Sequence, residues 1–170
     1  MSAPEDMKGL KIRVAGPGVY GEIVKSLGAT PVVFPAIEMG AALARGAMDG
    51  IITSPGGWGK NVKDAPAASL VPGLLFYTYF LIADKGWFEA LPQGERKALT
   101  EAARATVTEK WDEMREDDAR LVAELVGRGA KYAVVPSAAS WRERTEPVTR
   151  QFADRHPEAV RRFRAVLRPE

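Results

Sequence analysis

From Gln93 to Arg128, Leu99, Ala103, Val107, Trp111, Met114, Leu121 and Leu125 recur at helical spacing, with charged residues between them. Gly127 and Gly129 end the run. These 36 residues predict a helix about 54 Å long at a rise of ~1.5 Å per residue. A compact domain of 170 residues has a radius of gyration near ~15 Å, hence a diameter of roughly 40 Å. The helix is therefore longer than the body that carries it. Either it kinks, or it braces something larger than this chain.

Ahead of that helix the pattern alternates. Lys11-Ile12-Arg13-Val14-Ala15 reads as a short strand closed by the turn residues Gly16-Pro17-Gly18. Glu22 to Leu27 reads as a helix with Gly28 as its C-terminal cap. Thr30 to Phe34, β-branched and aromatic, predicts a buried strand. Glu38 to Ala47 sets Met39, Ala42, Leu43 and Ala47 on one helical face, Asp49-Gly50 makes a turn, and Ile51-Ile52-Thr53 is a third strand. Strand, helix, strand, helix, strand implies a parallel sheet with right-handed crossovers. Pro55-Gly56-Gly57-Trp58-Gly59 then breaks the pattern at a strand's carboxyl end, where open α/β sheets bind ligands. Leu74 to Ala83 predicts a strand buried on both faces, with Tyr77 and Tyr79 sharing one of them. Lys131 to Val135 is a last strand, and Ala138 to Leu167 supplies two helices around Pro157.

Composition narrows the chemistry. With no cysteine and one histidine, His156, the chain offers no disulfide framework, thiolate zinc site or Ser-His-Asp triad. A net charge of +2 predicts no strong pull toward nucleic acid or membrane. The longest apolar stretch, Leu74 to Ala83, is about half of what a spanning helix requires. No leader of the secretory kind opens the chain as written. The C-terminal arginines, with Arg161, Arg162 and Arg164 clustered, read as a solvated helical face, and His156 as a surface residue. What remains is a soluble α/β domain with few candidates for catalytic, metal or cofactor chemistry, and the lack of cysteine and clustered histidine is what a binding protein would show.

Four groups of residues are candidates for a site. Arg13 lies in an apolar strand, where a charge requires a partner. Its guanidinium suits either a ligand carboxylate or an Asp or Glu of the same chain on an edge strand. Thr53, Ser54 and Trp58 border the Pro-Gly-Gly break, with hydroxyl donors beside an aromatic; the other reading is turn chemistry and a core tryptophan. Tyr20 is a possible wall. Gly16-Pro17-Gly18-Val19-Tyr20-Gly21 matches G-x-G-x-x-G, and Glu38 stands where a ribose-binding acid would. That leaves a dinucleotide-binding domain as an alternative, although Pro17 has no amide to donate. On the long helix, Trp111 and Met114 read as packing residues. A self-assembling helical module is a third reading.

Taken in order, Lys8-Gly9-Leu10-Lys11-Ile12-Arg13-Val14, Leu27-Gly28-Ala29-Thr30-Pro31-Val32, Ala42-Leu43 to Gly46, Asp49-Gly50 and Trp87-Phe88-Glu89-Ala90-Leu91-Pro92 resemble the solute-binding proteins of tripartite ATP-independent periplasmic (TRAP) transporters, the DctP-type family. The resemblance implies a periplasmic-binding-protein-like α/β lobe over residues 1–170, with a mostly parallel sheet flanked by helices, a spine helix at about 93–128 and C-terminal helices. It implies binding of a small organic acid for delivery to the membrane subunits of a TRAP transporter, in the periplasm. Arg13 then stands where such proteins clamp the ligand carboxylate, Thr53 and Ser54 at the strand end that lines the ligand, and Tyr20 and Trp58 as walls. Cation-holding members carry a Glu-Trp pair where Ile52-Thr53 stands here, so no metal is expected. Ala36 and Ile37 replace the aromatic and serine that many members have ahead of Glu38. The resemblance is to a carboxyl-terminal portion only, which predicts an uncovered apolar surface and self-association through it or through the long helix.

Overall fold

The computed structural model describes residues 1–77 and 80–167. Three parallel strands, β1 (Lys11–Val14), β2 (Thr30–Val33) and β3 (Gly50–Ile51), form a sheet in the order β2-β1-β3. Arg13 stands level with Val32 on one side and Ile51 on the other. The crossover from β1 to β2 is α1 (Val19–Ser26), and that from β2 to β3 runs through a 3-10 turn at Ala36–Glu38 into α2 (Met39–Ala44). Gly28 follows α1 at φ 83°, the left-handed conformation that lets the chain turn back into β2.

Side-chain alternation on β1 builds two cores. Ile12 and Val14 point toward α1, into a cluster with Ile23, Val24, Val135 and Trp141. On the other face, Met39, Ala42, Met48, Trp58 and Leu125 form a second cluster, joined by Val32 and Ile51. After β3 comes α3 (Pro55–Asn61) and then β4 (Ala67–Leu70), which pairs in parallel with β5 (Lys131–Val134) in a separate two-stranded sheet. Between these strands lie α4 (Lys85–Ala90) and α5 (Gln93–Gly127). Helices α6 (Ala139–Arg155) and α7 (Pro157–Leu167) close the described chain, with α6 packed on α1.

The 35-residue α5 is continuous, as its periodicity predicts. Its apolar face divides in two. Leu125 is buried and Leu121 packs on Gly59 of α3, whereas Leu99, Val107, Trp111 and Met114 are exposed, Trp111 at 65%. The expectation that Trp111 and Met114 are packing residues therefore fails. It fails because α5 touches the body mainly through α3 and β5, near its C-terminal end.

Three other expectations need correction. The segment expected as a buried strand, Leu74 to Ala83, forms no strand among its described residues, and Phe80, Leu81 and Ile82 are 80–86% exposed. Tyr79 of that segment lies outside the described residues. Its first residues, Leu74 and Leu75, pack against the first core cluster from a loop instead. β2 is half-buried rather than buried, because it is an edge strand. Finally, Pro55-Gly56-Gly57-Trp58-Gly59 is helical. Pro55 occupies the first turn, where no N–H is needed, and Ser54 Oγ caps the helix by accepting from Gly57 N at 3.1 Å. His156 is exposed, its ring tilted against Phe152. Among the described residues no helix is long and apolar enough to cross a membrane.

Candidate functional site

The strand order places a topological switch between β1 and β3. From β1 the chain crosses to β2 on one side, then returns past β1 to β3 on the other. Loops leaving the carboxyl ends at such a point diverge and open a crevice. Arg13 on β1, Tyr20 on α1 and Thr53–Ser54 beyond β3 all lie along this edge.

Arg13 points toward α2, opposite to Ile12 and Val14, and is 8% exposed. It is central in its sheet, so the edge-strand reading does not hold. Nor does Arg13 bond an acid among the described residues. Its Nε and Nη2 both donate to the carbonyl oxygen of Phe34, at 3.0 and 2.9 Å, just past the end of β2. The side chain thus runs from the sheet interior to its carboxyl edge, held by one neutral carbonyl and bonded to no acid among the described residues. Two nitrogens converge on one oxygen, which leaves Nη1 uncommitted in that fork.

Thr53 and Ser54 reach the edge by different routes. Ser54 Oγ accepts the α3 cap bond from Gly57 N, while its O–H remains able to donate. Thr53 Oγ1 lies so close to Gly57 that a Cβ there would sit 2.0 Å from it. Glycine at 57 is therefore what allows the Thr53 hydroxyl its position. The Gly56 amide donates to Asp118 Oδ1 of α5 at 3.1 Å, fixing the start of α3 against the long helix.

Tyr20 is half-buried on the α1 side of the sheet and stacks on Tyr77, with ring centroids 5.7 Å apart and planes at 16°. The Tyr77 hydroxyl donates to Ile52 O at 3.0 Å. The 71–77 segment is thereby latched over the end of β3, a contact that sequence reasoning missed. Its only signal was the apolar-aromatic run itself. Arg13 and Tyr20 share the carboxyl edge but lie on opposite faces of the sheet. Trp58 does not line the edge at all. It is 4% exposed, stacks on Tyr132 and donates from Nε1 to Ala65 O, so it is the core tryptophan of the second cluster.

The glycine loop lacks the geometry of a dinucleotide cradle. None of Gly16, Gly18 and Gly21 has a positive φ, and a Cβ at Gly16 or Gly18 would meet open space. The exposed Glu38 sits in a 3-10 turn rather than at a strand end. Among the described residues no cluster of His, Asp or Glu is arranged to hold a metal ion.

Comparison with known proteins decides the family. The family model "Bacterial extracellular solute-binding protein, family 7" matches residues 1–156. The chain belongs to this family. Family 7 members are extracellular solute-binding proteins of bacteria. A solute-binding protein of Albidiferax ferrireducens is 31% identical over 132 residues, which are 75% of this chain and 39% of that protein. The C4-dicarboxylate-binding periplasmic protein DctP of Rhodobacter capsulatus is 23% identical over 159 residues, 91% of this chain and 48% of the relative. Among solved structures, a TRAP periplasmic solute-binding protein from Roseobacter denitrificans, with bound beta-D-glucuronate, superposes with a TM-score of 0.80 at 22% identity. The match covers 93% of this chain and 53% of that one. A TRAP periplasmic solute-binding protein from Shewanella oneidensis, with bound succinate, gives 0.79 at 21% identity, covering 91% and 52%. The fold is theirs, and the expected α/β lobe is borne out. The family 7 chain described here spans about half the length of the curated relatives it matches.

Proposed function

We propose that this chain binds a small organic acid at the carboxyl edge of β1–β3, in the periplasm, for delivery to the membrane subunits of a TRAP transporter. The observation that carries the reading is Arg13, a buried arginine in the central strand at the switch point, paired with a neutral carbonyl rather than an acid. A carboxylate meeting Nη1 would supply the missing negative charge and form a charge-assisted hydrogen bond. Thr53 and Ser54 supply hydroxyl donors beside it, and the Tyr20–Tyr77 stack bounds the edge on the far face of the sheet. Trp58 drops out of the ligand shell and supports it from the core. No reacting group is needed in this role, and none is assigned.

The related structures carry two acid chemistries, uronates and dicarboxylates. Calorimetric titration with glucuronate, galacturonate, succinate and malate distinguishes them. The expected result is saturable binding of at least one acid, weakened tenfold or more by Arg13→Ala, since a hydrogen bond to a charged group contributes about 1.5–3 kcal/mol. Binding left unchanged by that substitution would remove Arg13 from the site. No binding of any carboxylate would remove the reading for this chain.

A further inference from the structure

Arg13, Val32 and Ile51 stand level on adjacent strands, so their side chains leave the sheet on the same face. On that face Val32 and Ile51 pack with Trp58 of α3 and Leu125 of α5. The start of α3, with the turn of α5 that touches it, therefore shares Arg13's face as well as its edge.

The backbone donors at that start are already engaged. Pro55 has no N–H. The Gly56 amide donates to Asp118 Oδ1 at 3.1 Å, the Gly57 amide to Ser54 Oγ at 3.1 Å and the Trp58 amide to Ser54 O at 2.9 Å. No amide of the first turn is left for a ligand anion. What this end of the edge presents instead is the hydroxyls of Thr53 and Ser54 and the carboxylate of Asp118. Asp118 Oδ1 and Ser54 Oγ flank Gly56, 3.6 and 3.8 Å from where its Cβ would stand. Asp118 is half-buried and joins no ion pair among the described residues.

The edge thus carries opposite charges at its two ends. Arg13 lies toward the end of β2, against Phe34 O, and Asp118 lies beside Ser54, beyond β3. A ligand whose acid group meets Arg13 extends from a cation toward an anion. Like charges ~8 Å apart, at a partly screened dielectric of ~40, repel enough to weaken binding about fivefold. A hydroxyl in the same place escapes that repulsion and can bond a serine or threonine hydroxyl.

We infer that Asp118 excludes a second carboxylate from the Ser54 end of the site, so that the chain selects acids with one carboxylate, at Arg13, and hydroxyls toward Ser54. The inference rests on the proposed acid site at Arg13 and adds its substrate class, a sugar acid rather than a dicarboxylate.

Calorimetric titration of the full chain with glucuronate, succinate and monomethyl succinate at neutral pH tests this, in the wild type and in Asp118→Asn. Asparagine keeps an oxygen that can accept from the Gly56 amide and removes the charge. The wild type should bind the monomethyl ester about fivefold more tightly than succinate. In Asp118→Asn succinate should gain by the same factor against both monoacids. A purely structural effect of the variant would scale all three affinities alike, so the ratios carry the result, and the wild-type comparison of succinate with its ester needs no substitution. Succinate binding as tightly as its ester in the wild type, or ratios unmoved by Asp118→Asn, would overturn the role of Asp118. Binding of none of the three acids would remove the acid site itself, and this inference with it.

Discussion

At the scale of single residues, Gly57 is the least replaceable position near the site. An added Cβ would lie 2.0 Å from Thr53 Oγ1 and 3.2 Å from Thr53 Cβ, so either α3 or the strand end must move. Gly57→Ala is expected to destabilise by about 1–3 kcal/mol, the usual cost of overpacking. Chemical denaturation measures this as a lower midpoint, and ligand titration should weaken in parallel because Thr53 shifts. Gly16→Ala serves as the control, since its Cβ meets nothing within 4 Å and its φ is not positive. Near the N-terminus, Asp6 accepts hydrogen bonds from the amides of Ser2 and Ala3. These bonds, Ser2's first, hold its carboxyl below the ordinary value of 3.8. A depressed carboxylate stabilises above its unfolded pKa and loses that contribution as pH falls through the folded one. The turn at Pro4–Met7 should therefore loosen only in acid, below about pH 4. A pH series of amide shifts at Ser2 and Ala3 would show it, and Asp6→Asn should remove the dependence. The sequence made Arg13 visible through strand alternation. It could not reveal Arg13's partner, because the Phe34 carbonyl is brought there by the register of β2 on β1.

At the scale of elements, legibility followed the local content of each signal. The strands β1 and β5, the helices α1 and α6 and the whole of α5 were readable because period, caps and turns agree within each segment. Leu74 to Ala83 was misread because an apolar run states a need for burial without saying how it is met, and Leu74 and Leu75 meet it from a loop packed on the first core. The Pro-Gly-Gly helix was misread because glycine's poor helix propensity outweighed the Ser54 cap and the Pro55 first turn in the sequence pattern. In the fold a further contact supports α3, the carboxylate of Asp118 on the Gly56 amide. Asp118→Ala should cost about 1–2 kcal/mol, as for loss of a charged hydrogen-bond partner that is half-buried. Hydrogen exchange would register it as faster exchange of the Gly56 amide, with β1 and β2 unaffected. An unchanged Gly56 rate would mean that the Ser54 cap alone secures the helix.

For the whole molecule, the bare half of α5 governs dynamics. Residues 118–127 are anchored by α3, β5 and the second core, so their amides should open only with the domain. Residues 97–114 have little to hold them except the helix's own hydrogen bonds and exposed pairs such as Lys97–Glu101 and Lys110–Glu113, each a minor contribution. A helical segment without tertiary packing is marginal in water. At low concentration the first half should therefore exchange orders of magnitude faster than the second. Uniform protection along α5 would show instead that the helix's own hydrogen bonds suffice to hold it.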